Sequence, residues 1–282
     1  MRLPIKINNI LLPSIAKKYF SLGIDPYKLI KNDLSSEEFT RSISAIKIRG
    51  TWKTSSANRH LLSDKVIIDL CAKKEHQKVL DIGISDGSAS INLMKKIIEF
   101  NCEYVGCDLV IQVAVVINKN KYYFYDIEKR QCIMIVSDRL IIYNDTKDAI
   151  ILLKNVVNYF FRNPPIYDEK NLHIVALVSP DVQRLMINNK NITVVEHDVF
   201  TPWGQENVDV VKIANVLNRV YFSDQDIILA INHIRNALVE GGHLIVIDSR
   251  ECEKFSVFEK CGKDLKVREN INGGTEIRDL VS

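Results

Sequence analysis

The sequence predicts an α/β fold: a mostly parallel sheet with an antiparallel C-terminal hairpin, an N-terminal helical extension and an inserted β-meander. Three observations carry this reading. From residue 60 onward, short runs rich in Val and Ile alternate with segments of helical spacing. The segment KVLDIGISDGSAS (78–90) reads as a strand entering a glycine-containing turn and then a helix. Between residues 110 and 145, polar breaks divide apolar and aromatic runs at strand length.

The elements follow in order. Residues 1–60 read as a polar helical extension, with three-to-four spacing in LPSIAKKYFSLG and SSEEFTRSISAIKI. Ser35, three residues before Glu38, has the spacing of a helix-starting capping box. RGTWKTSSAN (49–58) reads as a loop, and 60–74 as a helix with Leu61, Leu62, Val66, Ile67 and Leu70 on one side. The strand at Lys78 and its turn lead to a helix over 89–100, and EYVGCDL (103–109) is the second strand. The runs VIQVAVVI, KYYFY, CIMIV and RLIIY then predict about four antiparallel strands. A helix over 147–161 stops at Asn163-Pro164-Pro165. The parallel pattern is expected to resume at 172–179, followed by a helix from Pro180 and strands at 192–200 and 208–217. A helix over 223–239, a Gly241-Gly242 stop and the apolar strand HLIVIDS (243–249) follow. The tail suggests strands at 264–270 and 275–281 around a hairpin turn at Asn272-Gly273-Gly274.

The domain reading is a 1–60 extension or lid and a 61–282 domain carrying the insertion at about 110–145. The 282 residues suffice for that, and 46% hydrophobic against 26% charged residues is a globular composition. No apolar run approaches the ~18–20 residues that span a bilayer. Met1–Ile10 lacks the apolar core of a secretory signal. With 38 basic and 35 acidic residues, the net charge of +3 does not call for a nucleic-acid partner. The six cysteines form no Cys-x-x-Cys pair and no zinc spacing, so reduced thiols, a cytoplasmic protein and no metal are expected.

The chemistry concentrates at strand ends. Asp81, Gly83, Ser85 and Gly87 alternate through the first turn. Asp81 would repel a pyrophosphate and attract an ammonium group. A dinucleotide-binding Gly-x-Gly-x-x-Gly would need glycine at 85 and 88, and both are serine. Asp108 ends the second strand, where a carboxylate binds ribose hydroxyls. Glu196-His197-Asp198-Val199 ends a later one.

These signals, over about 60–282 without the insertion, resemble the motifs of class I S-adenosylmethionine (SAM) dependent methyltransferases, whose first motif is acidic-x-Gly-x-Gly-x-Gly. Ser85 stands at the middle glycine. The resemblance implies a Rossmann-like, seven-stranded sheet, SAM as cofactor and methyl transfer. It places Asp81, Gly83, Ser85, Gly87 and Asp108 around the cofactor. Asp198 and Val199 fall at the adenine contact, and Asn215 near the methionine end or the substrate. The 208–249 block is similar to the family's fourth and fifth motifs. Asn215 to Phe222 also resembles a stretch of chemotaxis-receptor methyltransferases, which makes glutamate methylation a minor alternative. Asn163-Pro164-Pro165-Ile166-Tyr167 is similar to the motif of amino-methylating nucleic-acid enzymes, yet it follows a helix and reads as a helix stop.

Substrate recognition in such a fold lives in its additions. Trp52, His60, Asn218 and Tyr221 are the candidate substrate residues. Tyr122 to Tyr125, beside Lys119 and Lys121, read as strand residues packing on a sheet, with ring stacking as the alternative. The sequence identifies no catalytic base. The expected acceptor is a small molecule or secondary metabolite. The alternatives are a SAM- or nucleoside-binding protein without transfer activity, and protein or RNA methylation.

Overall fold

The computed structural model describes residues 4–7, 26–30, 34–56, 59–138, 140–146, 149, 151–204, 207–249 and 252–281. The chain divides into two compact units, Met1–Ser55 with Gln112–Pro180, and Ser56–Ile111 with Asp181–Ser282. The N-terminal segment and the insertion, expected as two separate additions, thus share one unit.

In the first unit the four expected meander strands are β6 (Gln112–Asn118), β7 (Lys121–Asp126), β8 (Gln131–Val136) and β9 (Leu140–Tyr143). Two further strands extend them into a six-stranded antiparallel sheet. β1 (Ile5–Ile7) pairs with β9, and β10 (His173–Ala176) pairs with β6. β10 corrects an expectation: the run at 172–179 does not resume the parallel sheet. Its side chains explain this, because of its four residues only Val175 is buried, whereas an inner parallel strand is covered on both faces.

The extension is less helical than its spacing suggested. LPSIAKKYFSLG lies outside the described residues. α1 (Ser36–Ile43) starts with the expected capping box of Ser35 and Glu38. The stretch read as a loop contains a small hairpin of β2 (Lys47–Ile48) and β3 (Thr51–Trp52). It turns on Arg49 and Gly50, both at positive φ. Arg49 anchors the turn by a two-pronged bond to the buried carboxylate of Asp126, at 2.9 and 3.0 Å. α4 (Ile151–Phe160) closes this unit's chain before β10.

The second unit carries a seven-stranded sheet in the order β11-β5-β4-β12-β13-β14-β15. Its parallel part is β4 (Lys78–Ile82), β5 (Glu103–Asp108), β11 (Ile192–Glu196), β12 (Val208–Ala214) and β13 (Leu238–Ser249). β14 (Glu253–Cys261) and β15 (Asp264–Ile271) then add antiparallel, one after the other. The tail therefore differs from the expectation. The strand at 253–261 was not foreseen, and the chain reverses at Gly262. Gly273 and Gly274, both at positive φ, lead into α7 (Arg278–Val281) rather than a strand. Gly241 and Gly242 lie inside β13, because α6 (Asp224–Ala237) ends earlier than its apolar spacing suggested.

The remaining helices of this unit are α2 (Leu61–Lys73), α3 (Ile91–Ile97) and α5 (Pro180–Asn188). Leu80, Ile82, Val211, Ile213, Leu244 and Val246 pack with Ile227, Ile231 and Ile234 of α6 as the core. From β4 the chain runs outward through β5 to β11, then returns to the other side of β4 for β12 and β13. The order reverses between β4 and β12. At such a switch point the loops at the carboxyl ends part and leave a crevice for a ligand.

Candidate functional site at the carboxyl edge of the parallel sheet

Five strand ends of the second unit, those of β4, β5, β11, β12 and β13, form this edge. Gly83 and Ile84 both donate backbone N–H to the Cys107 carbonyl, at 2.8 and 3.1 Å, which folds the β4 turn over the end of β5. Ser85 sits at φ +57 and Gly87 at φ +77. A left-handed serine costs about 1 kcal/mol. Its backbone N–H donates to Asp108 Oδ2 at 2.8 Å, which holds it there. Its Oγ is buried and has no hydrogen-bond partner. Asp108 is half-buried, and Val110 N–H also approaches its Oδ1 at 3.4 Å.

β11 lies beside β5 with Glu196 opposite Asp108, and His197 N–H donates to the Asp108 carbonyl at 3.0 Å. Asp198 is thus two residues beyond the level of Asp108, on the same edge. Its Oδ1 accepts from Phe200 N–H at 3.0 Å, an Asx turn. Val199 is buried in the core. The His197 ring meets Trp203 edge-on at 4.8 Å, and burial holds its pKa below the ordinary value, so it is neutral at pH 7.

On the other side, Asn215 follows β12 at φ +58. Its Oδ1 accepts from Ser249 N–H at 2.8 Å, which ties the ends of β12 and β13 together. Asn218 is buried and braces its own turn by accepting from Val220 N–H at 3.2 Å. Tyr221 is exposed, so its ring does not join the core. His60 precedes α2 and is buried, with Nδ1 3.2 Å from Ser249 Oγ. Burial first, then the Lys212 ammonium, lowers its pKa to about 4. Trp52 belongs to the first unit, where its ring meets Tyr143 edge-on and Lys47 lies 5.7 Å above it.

The structure corrects two expectations about the first motif. Asp81 is not open to a cationic ligand. It is 2% exposed, and its Oδ2 accepts from Ser90 Oγ at 2.6 Å and Tyr104 OH at 2.8 Å. Lys212 Nζ lies 3.3 Å from the same oxygen and 2.9 Å from Asp64 Oδ1. The two carboxylates outweigh the desolvation of Lys212 and raise its pKa, so the ammonium stays charged. Asp64 is pushed up to about 6, chiefly by burial. The second correction concerns bare backbone. A Cβ on Gly83 would stand 2.2 Å from Val216 Cγ2, and one on Gly87 would stand 3.0 Å from Val182 Cγ2. Here these glycines admit neighbouring valines.

Sequence reasoning missed Lys212, Asp64, Ser90 and Tyr104. The one visible signal was the lysine in VDVVKIA, a charge in the middle of an otherwise apolar strand.

No protein-family model and no curated protein matches the chain. Solved structures do resemble it. One is the CurJ carbon methyltransferase, with 14% identity over 80% of this chain and 42% of that one, at a TM-score of 0.39. A TehB-like SAM-dependent methyltransferase from Corynebacterium glutamicum has 11% identity over 65% of this chain and 61% of that one, at 0.30. LepI in complex with SAM has 13% identity over 79% and 38%, at 0.35. The chain thus spans less than two thirds of the length of each. Likeness of this extent assigns neither family nor activity.

Proposed function

We propose that the chain is a class I SAM-dependent methyltransferase acting on a small-molecule acceptor, with the cofactor at the carboxyl edge of the second unit. The observation that carries this reading is the convergence there of Asp108, the left-handed turn with the orphaned Ser85 hydroxyl, and Asp198. A carboxylate at the end of the second strand suits ribose hydroxyls, and a buried hydroxyl without a partner suits a polar ligand atom. Asp198 and the backbone of Val199 would border the adenosine, while Gly83 and Gly87, covered by Val216 and Val182, would shape the turn. SAM would supply a methyl group on a sulfonium, already a good leaving group. The protein's own task is alignment and exclusion of water. His60 is neutral at pH 7 beside Ser249, but burial and the Lys212 ammonium make it a weak base, so no residue of this edge is assigned a catalytic proton transfer. Trp52, Asn218 and Tyr221 remain proposed substrate residues.

Titration calorimetry with SAM and its demethylated product tests binding. Transfer of a radiolabelled methyl group into fractionated cell extract tests activity and separates small-molecule, protein and RNA acceptors. A second reading, a nucleoside-binding protein without transfer activity, is favoured by one observation: Asp81 is already paired inside the protein. Binding without label transfer into any fraction would decide for it.

A further inference from the structure

We propose that Lys212 is a built-in counter-ion for Asp81, so that this edge selects its ligand by the nucleoside and not by a charged amino-acid tail. The inference rests on the adenosyl reading above and names the ligand class that reading takes: neutral 5′-thioether adenosines alongside SAM itself.

Strand register sets Lys212 of β12 directly opposite Asp81 of β4. Both are almost fully buried. The ammonium donates to Ser90 Oγ at 3.1 Å and forms ion pairs with Asp64 at 2.9 Å and Asp81 at 3.3 Å. Ser90 Oγ accepts from Lys212 and donates to Asp81, and Tyr104 OH fills a further lone-pair direction of the same oxygen. A ligand ammonium approaching Asp81 would therefore meet a carboxylate whose charge is already balanced, and a lysine that repels it. The Ser85 hydroxyl and the half-buried carboxylate of Asp108 suit hydroxyls and other neutral polar atoms. Val216, set over Gly83, adds an apolar wall to the same turn.

The test is calorimetric titration of the full chain with SAM, 5′-deoxy-5′-methylthioadenosine and adenosine. SAM and the neutral thioether are expected to bind within about threefold of each other. In Lys212→Met the balance shifts toward SAM by ~10-fold, because Asp81 loses its internal counter-ion and a ligand ammonium can take that place. That variant leaves two buried carboxyls without a cation, so Lys212→Met with Asp64→Asn is measured beside it, and thermal melts establish that each is folded. A wild-type preference for SAM above about thirtyfold overturns the proposal and leaves the methyltransferase reading standing. An unchanged ratio in a folded variant overturns it too. Failure of every adenosine ligand to bind overturns both.

Discussion

At the scale of single residues, the edge of the second unit separates carboxylates with different tasks. Asp108 braces the Ser85 turn and is the proposed partner of the ribose. Asp108→Asn keeps an oxygen to accept from Ser85 N–H, so the turn survives. Loss of the charge is expected to weaken binding of SAM by ~10–100-fold, read by calorimetry with the melting temperature little changed. His60 gives a second expectation. The unfolded chain titrates it near 6.5, and the fold lowers it to about 4. Between these values the unfolded state binds more protons, so stability rises with pH. The contribution is present above pH 6.5 and lost as pH falls toward 4. His60→Asn removes it and retains a good helix-capping residue. Urea unfolding at pH 7 and pH 4.5 should show the gap between wild type and variant narrowing on acidification, by up to about 3 kcal/mol. Asp64, raised to about 6, acts in the opposite sense and is common to both proteins. The place of Asp81, Gly83, Ser85, Gly87, Asp108 and Asp198 at strand ends and turns was legible, because strand-end position is a local property. The internal pairing of Asp81 was not, because its partners Ser90, Tyr104 and Lys212 come from the turn before α3, from β5 and from β12, and only the folded sheet brings them together.

At the scale of elements, strands and helices were read best where periodicity is strong and contacts are local. The four meander strands and α6, with its Ser223–Asp226 cap, follow from such patterns. β10 was misassigned because a four-residue run carries no mark of which sheet it will join. β14 was missed because charges and apolar residues mix along Glu253–Cys261. That strand has a further role no pattern shows. Glu253, at its start, accepts from the backbone N–H of Leu62 and Ser63, both at 2.9 Å, and from Ser63 Oγ at 2.5 Å. A carboxylate from 190 residues away thus caps α2, which His60 does not do with its own side chain. Glu253→Ala is expected to destabilise the protein by about 1–2 kcal/mol. Chemical denaturation measures this, and exchange of the Leu62 and Ser63 amides should quicken beyond that of the β13 amides.

At the scale of the molecule, the first unit interrupts the crossover from β5 through α5 to β11. Ile111 N–H is held by Glu196 at 3.0 Å, and Val182, at the start of α5, packs on Gly87. Both ends of the interruption therefore lie at one edge of the second unit. Removing residues 1–55 and replacing residues 112–180 by a short Gly-Ser linker is expected to leave a folded second unit with the SAM affinity of the full chain. Circular dichroism and calorimetry check this, and loss of affinity would show that the first unit contributes to the ligand site. The addition of β14 and β15 one after the other bears on how the chain is made. A ribosome releases these strands only after the five parallel ones. Until they arrive, one side of β13 offers its backbone amides and carbonyls unpaired along an apolar run. A product of premature termination before Glu253 would keep that bare edge permanently and stick to its own kind.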